Sequence, residues 1–204
     1  MEFYEIQNEA LLERYLLGDV SQQEIDLLEK AFIKYPELKK ELIEIEKAFE
    51  AYAQVKAIQP GPKTKPLLLA FLDYSERLKA GEPLSSPPML SPHSKIDDYN
   101  EWLNRPDMIL PYDFIDFYAK IIGHTKKVTT LIAWLKYGAP NEVHTDEYEK
   151  LFIIEGTCNI AFKNIVHTLK EGDFIAIPLH VNHNVEVTSN IPCKVIVELE
   201  KITV

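Results

Sequence analysis

The spacing of apolar and polar positions changes once along the chain, from a helical period to an alternating one. Over residues 1–80 the apolar positions recur at helical steps. Leu11, Leu12, Tyr15 and Leu16 form a first stripe, and Gly18 stands where a helix would end. Ser21-Gln-Gln-Glu24 has the form of a capping box, in which hydroxyl and carboxylate each satisfy a helix-end donor. It opens a second helix with Ile25, Leu28 and Phe32 on one face. Tyr35-Pro36 ends that helix, because proline disfavours helical geometry in the residue before it, and Pro36 suits the first turn of a third. Leu38, Leu42, Ile45, Phe49 and Tyr52 then follow at alternating four- and three-residue steps. This seam predicts the core of an antiparallel three-helix bundle. A partner surface would need apolar residues on a second face, such as Ile43.

Gln59-Pro60-Gly61-Pro62 to Pro66 reads as a linker, and a fourth helical stretch follows with Leu68, Leu69, Phe71, Leu72 and Leu78. Proline and serine are concentrated from Gly81 to Pro92, which predicts a domain boundary there. From about residue 110 the pattern is β-like. Val128 to Tyr137, Leu151 to Ile154, Asn159 to Phe162, Phe174 to Ile177 and Lys194 to Leu199 are short runs rich in β-branched and aromatic residues. The expected fold class is therefore α+β with two domains: helices over 1–80 (the fourth at about 66–80), a linker over 81–92, and a β-rich domain over 93–204.

The 204 residues are 46% hydrophobic, enough for such cores, and carry a net charge of −10. That charge argues against nucleic acid or an anionic membrane as partner and favours a basic protein. Thirteen acidic residues stand against seven basic ones in 1–60. Cys158 and Cys193 make neither a metal pair nor a disulfide framework, which fits a reducing compartment. The first residues lack a basic region and an apolar signal core, and no apolar stretch approaches the roughly 20 residues that span a bilayer. The expected location is cytoplasmic.

The histidines and carboxylates concentrate between Gly138 and Val187, in two half-motifs. The first runs from Gly138 through His144, Asp146 and Glu149 to Gly156, and the second from Gly172 through Pro178, His180 and His183 to Val187. Neutral imidazole and carboxylate are ligands for a divalent metal such as zinc or iron. These spacings resemble the cupin family, with motifs G-x5-H-x-H-x3,4-E-x6-G and G-x5-P-x-G-x2-H-x3-N. The resemblance implies a double-stranded β-helix, a jelly-roll-like barrel, with His144, Glu149 and His183 as metal ligands; a homodimer through the barrel would be compatible with it. Against the motif one imidazole is missing, since the second histidine would fall on Thr145 or on Asp146 according to register. His180 stands at the motif glycine. The site could have three ligands, a fourth from Asp146 or His180, or none. His144 and Asp146 would share a face if strand pairing persists there, whereas His144 and Glu149 need a loop or bulge between them. His93, His124 and His167 read as surface or loop residues, and Cys158 as a small buried hydrophobe.

Glu13-Arg-Tyr-Leu-Leu-Gly-Asp-Val-Ser-Gln-Gln-Glu24 and Tyr35-Pro-Glu-Leu-Lys-Lys-Glu-Leu42 resemble the sigma-binding domain of anti-sigma factors. The zinc-binding branch of that family carries H-x3-C-x2-C there. Here the first histidine is His93, so the resemblance implies a metal-free type. A helical domain of this kind beside a cupin implies a regulator that binds a sigma factor, of the extracytoplasmic-function, stress-response type, with the cupin as a metal- or ligand-dependent sensor. The other class is a metal-dependent cupin enzyme, a dioxygenase or isomerase, with the helices serving assembly.

Overall fold

The computed structural model describes Ile6 and residues 10–202. The chain divides into two compact units, Met1–Gln59 and Pro60–Val204. In the first, α1 (Leu11–Leu16), α2 (Gln22–Lys34) and α3 (Glu37–Lys56) enclose a small core of Ile6, Leu11, Leu12, Leu28, Ala31 and Leu38. Gly18 ends α1 at φ 73°, with its own amide donating to the Tyr15 carbonyl (3.1 Å) and that of Asp19 donating to Arg14 (2.9 Å). Ser21 and Glu24 form the capping box of α2. The α3 seam holds only in part. Leu38, Leu42 and Ile45 reach the core, but Phe49 and Tyr52 are exposed, and so are Val55 and Ile58 beyond them. Length explains this, because α3 has 20 residues against 13 in α2 and 6 in α1, so its far half outruns its neighbours.

The second unit begins with α4 (Thr64–Lys79), a 3-10 turn (Ile96–Tyr99) and α5 (Asn100–Leu103). Nine strands follow: β1 (Phe117–His124), β2 (Val128–Leu135), β3 (Gly138–Glu142), β4 (Glu147–Glu155), β5 (Thr157–Phe162), β6 (Ile165–Lys170), β7 (Phe174–Ile177), β8 (His183–Val187) and β9 (Cys193–Lys201). They pair antiparallel in a five-stranded sheet, β1-β2-β9-β4-β7, and a four-stranded sheet, β3-β8-β5-β6. Alternation sorts their side chains. Inward positions such as Leu131, Ala133, Leu151, Ile153, Ile160 and Val195 make one apolar cluster. Ile122, Ile132, Trp134, Phe152 and Ile196 project outward from the five-stranded sheet and make another.

Those outward residues decide the role of the proline-rich stretch. It is not a free linker: it covers that sheet face. Leu90 is buried there and its amide donates to Glu198 (2.8 Å). Tyr99 donates to the Pro88 carbonyl (3.0 Å) and Trp102 to the Ser85 hydroxyl (2.7 Å). Gly123 lets this segment approach, since a Cβ there would lie 2.4 Å from Pro87. The fourth helix, α4, expected with residues 1–80, belongs to the barrel unit, where Ala70 and Tyr74 are buried in the inward cluster. Arg77 ties it further, bonding to Glu82 and to the Ile121 carbonyl. The boundary between the units therefore lies at Gln59/Pro60, in the first proline-glycine stretch. Among the described residues, no helix is long and apolar enough to cross a membrane.

Candidate metal centre

Four donor side chains meet at one end of the barrel. Glu142 ends β3 and His183 opens β8, and the two are cross-strand partners. Glu149 lies on β4 in the other sheet, paired with Leu199 and Ile177. His144 sits on the connection between β3 and β4. The chain needs glycine at Gly138 for β3 to lie this close to β8, because a Cβ there would stand 2.0 Å from the Val185 carbonyl oxygen. One donor atom from each of Glu142, His144, Glu149 and His183 lies within 4.8 Å of the others.

The geometry converges on a single oxygen. His144 Nε2 and His183 Nε2 each lie 3.0 Å from Glu149 Oε2, and the two rings stack at 5.3 Å. His183 Nε2 is 3.6 Å from Glu142, whose carboxylate also holds the Lys63 ammonium. His183 Nδ1 donates to the Val181 carbonyl (3.3 Å), so both ring nitrogens act as donors when the ring is protonated. Burial pushes the Glu149 carboxyl up, but hydrogen bonds from His144 and His183 and the Lys63 charge outweigh it and leave it at about 2. Burial opposes the charge on His183, yet Glu142 and Glu149 raise it to about 9. The bond to Glu149 raises His144 as well. Burial would raise Glu142, but its bonds with His183 and Lys63 hold it below the usual range.

Two imidazoles and two carboxylates in one cluster, with His183 and Glu149 buried, are a donor set that fits zinc or iron. The three expected residues, His144, Glu149 and His183, are brought together. The fourth member is Glu142, not Asp146 or His180. Chain direction turns between Glu142 and Glu147, so strand alternation does not carry from His144 to Asp146, which is exposed. His180 is also exposed, with φ at 57°, the left-handed geometry that suits a motif glycine; its amide donates to the His144 carbonyl (2.9 Å). Glu142 was legible in principle. It precedes His144 by two, and four residues separate His144 from Glu149, so Glu142-x-His144-x4-Glu149 satisfies the longer motif spacing with glutamate at the first histidine.

Of the other histidines, His93 and His124 are exposed, His124 at the end of β1, while His167 is half-buried on β6 rather than in a loop. His167 stacks on Phe162 at 4.5 Å. Glu142, His144 and Glu149 open onto a cavity of 370 Å³ lined by both sheets and by residues 61–64 and Leu67. Cys158 and Cys193 line it too, both free and buried.

Residues 136–198 match the family described as "Cupin domain". The barrel unit has the cupin fold, and the chain as a whole is α+β with a helical N-terminal region. It is similar to KdgF from Halomonas sp. (17% identity, 46% of this chain and 87% of that one, TM-score 0.41). It is similar also to a cupin-2 domain containing protein from Shewanella frigidimarina (22%, 43% and 84%, 0.39) and to a predicted oxalate decarboxylase from Thermotoga maritima (17%, 42% and 81%, 0.39). No curated protein matches the sequence.

Proposed function

We propose that the protein is a regulator in which a metal-dependent cupin senses a small molecule and the helical unit binds a sigma factor. His144, Glu149, His183 and Glu142 would hold the ion, zinc or iron. A bound divalent ion would supply a positive, Lewis-acidic centre beside the cavity. The observation that carries the sensor reading is the ion pair between Lys63 and Glu142. Lys63 stands four positions past the unit boundary, so one carboxylate belongs both to the donor cluster and to the first turn of chain leaving the helical unit. Engaging Glu142 elsewhere frees Lys63 and loosens residues 60–63.

The helical unit supplies the other half of the reading. Phe49, Tyr52 and Val55 recur every three residues along the exposed end of α3, with exposed Ile58 just beyond it, an apolar strip on an acidic background. Acidic charge would steer it to the basic surface a sigma factor uses for DNA, and the strip would supply lasting affinity. The test is co-elution of the full-length protein with a candidate sigma factor, with and without a chelator. Complex formation that changes on chelation and is lost in Tyr52→Asp/Val55→Asp supports the regulator. No association, with turnover of a small molecule by the metal-loaded barrel, moves the protein to the enzyme class.

A further inference from the structure

The cavity is chemically divided along its length, and the division specifies what it can hold. Every polar side chain lining it comes from residues 61–64 or 140–149, around the donors. Strands β1, β2, β5 and β9 contribute only hydrocarbon and thiol. From the rung of Glu149 and Leu199 the lining passes through Leu151 and Val197 to Ile153 and Val195. Four residues of strand make this sleeve about 13 Å deep.

A hydroxyl or second charge in the sleeve would be buried without a partner, a large penalty for each group. Sugars and dicarboxylates are therefore excluded. A volume of 370 Å³ suits a body of about ten non-hydrogen atoms. The head group is set by the mouth. Glu142, Glu147 and Glu149 make it acidic until a cation balances them. Once Glu142 shares its charge with the ion, the Lys63 ammonium, which faces the same cavity, is only partly neutralised. We propose that the barrel takes an apolar monocarboxylate of about eight carbons, its chain in the sleeve and its carboxylate at the mouth beside Lys63. This assignment rests on the metal reading above.

The test uses the full-length protein loaded with zinc, with zinc measured by elemental analysis and binding of butyrate, hexanoate, octanoate and glucuronate by calorimetry. Affinity should rise about fourfold per methylene up to octanoate, as expected for burial of hydrocarbon. Glucuronate should not bind. Ala133→Phe, which fills the sleeve, should abolish the rise with chain length while zinc stoichiometry stays unchanged. Lys63→Met should weaken octanoate about tenfold and leave zinc bound. Should Ala133→Phe fail to fold, the chain-length series on the unaltered protein decides alone. Zinc binding with no octanoate binding, with glucuronate preferred, or with a chain-length rise that survives Ala133→Phe overturns the ligand assignment and leaves the metal centre standing. Neither zinc nor octanoate bound overturns both.

Discussion

The two faces of the five-stranded sheet each bury one glutamate, and their surroundings differ. On β9, Glu198 points outward and is fully buried, with the Lys150 ammonium at 2.7 Å and the Leu90 amide at 2.8 Å. One rung away, Glu149 points inward and meets two imidazoles. Lys150 and Glu198 are direct cross-strand partners, as are Glu149 and Leu199. Glu198 is neutralised by a permanent charge and a backbone donor, so it is part of the scaffold. Glu149 is held by imidazoles, whose charge changes with protonation and whose nitrogens have the chemistry of metal ligands. A buried carboxylate is thus structural or functional according to whether its partner is fixed in charge.

The comparison breaks most visibly at Glu198. Glu198→Ala leaves the lysine without its buried partner and the Leu90 amide without an acceptor, and should lower stability by about 3–5 kcal/mol. Chemical denaturation checks this, and metal content of the folded fraction should not change. Glu149→Gln should do the reverse. The amide still accepts a hydrogen bond and the imidazoles can release their protons, so the metal-free protein should lose less stability than Glu198→Ala does. Metal affinity should fall by more than the roughly 100-fold that losing an outer-sphere partner costs. Equal stability losses in the two variants would remove the distinction between the faces.

A third prediction concerns the ionic cluster that holds the covering segment. Arg105 bonds to Glu82 and Asp107, Arg77 to Glu82, and Lys120 to Asp107. Burial would raise Glu82, but the arginines keep its pKa below 4.5; Arg105 keeps Asp107 low as well. Carboxyls depressed by folding bind protons more readily when unfolded. Their stabilisation is therefore complete above pH 4.5 and is lost as pH falls through the depressed values. Arg105→Met should flatten that acid limb in melting temperature measured against pH, by about 1 kcal/mol since these groups are partly exposed. The smallest effect is expected at His180. Because its φ is 57°, His180→Gly should be neutral or stabilise by a few tenths of a kcal/mol, with metal content unchanged. Loss of metal there would make His180 a ligand.

Much of this was legible in the sequence, because it depends on neighbours in the chain. The capping box at Ser21 and the stop at Gly18 are local hydrogen-bond geometry, and strands such as β2 and β9 announce themselves by β-branched residues. The repeated glycine, proline and histidine spacings were enough to point to a cupin barrel and to three of the four clustered donors. Strands β3 and β8 were not readable as strands, since Gly-Ala-Pro-Asn-Glu and His-Asn-Val-Glu-Val have weak propensity and are held by pairing to each other.

The tertiary structure decided what no local signal encodes: which surfaces face each other. Proline-rich residues 81–92 look like a linker because proline lacks a donor, yet a lack of donors also suits a strap over an apolar sheet face. The apolar residues of α4 do not say which of them will be buried: Leu67, Ala70, Tyr74 and Leu78 enter the barrel core, whereas Leu68, Leu69, Phe71 and Leu72 stay exposed. The seam of α3 has one period throughout, but only the lengths of α1 and α2 settle where burial stops. Glu142 became a donor when β3 paired with β8 and set it opposite His183. Local chemistry determined the elements and the kinds of donor; the pairing of distant strands determined which of those donors meet.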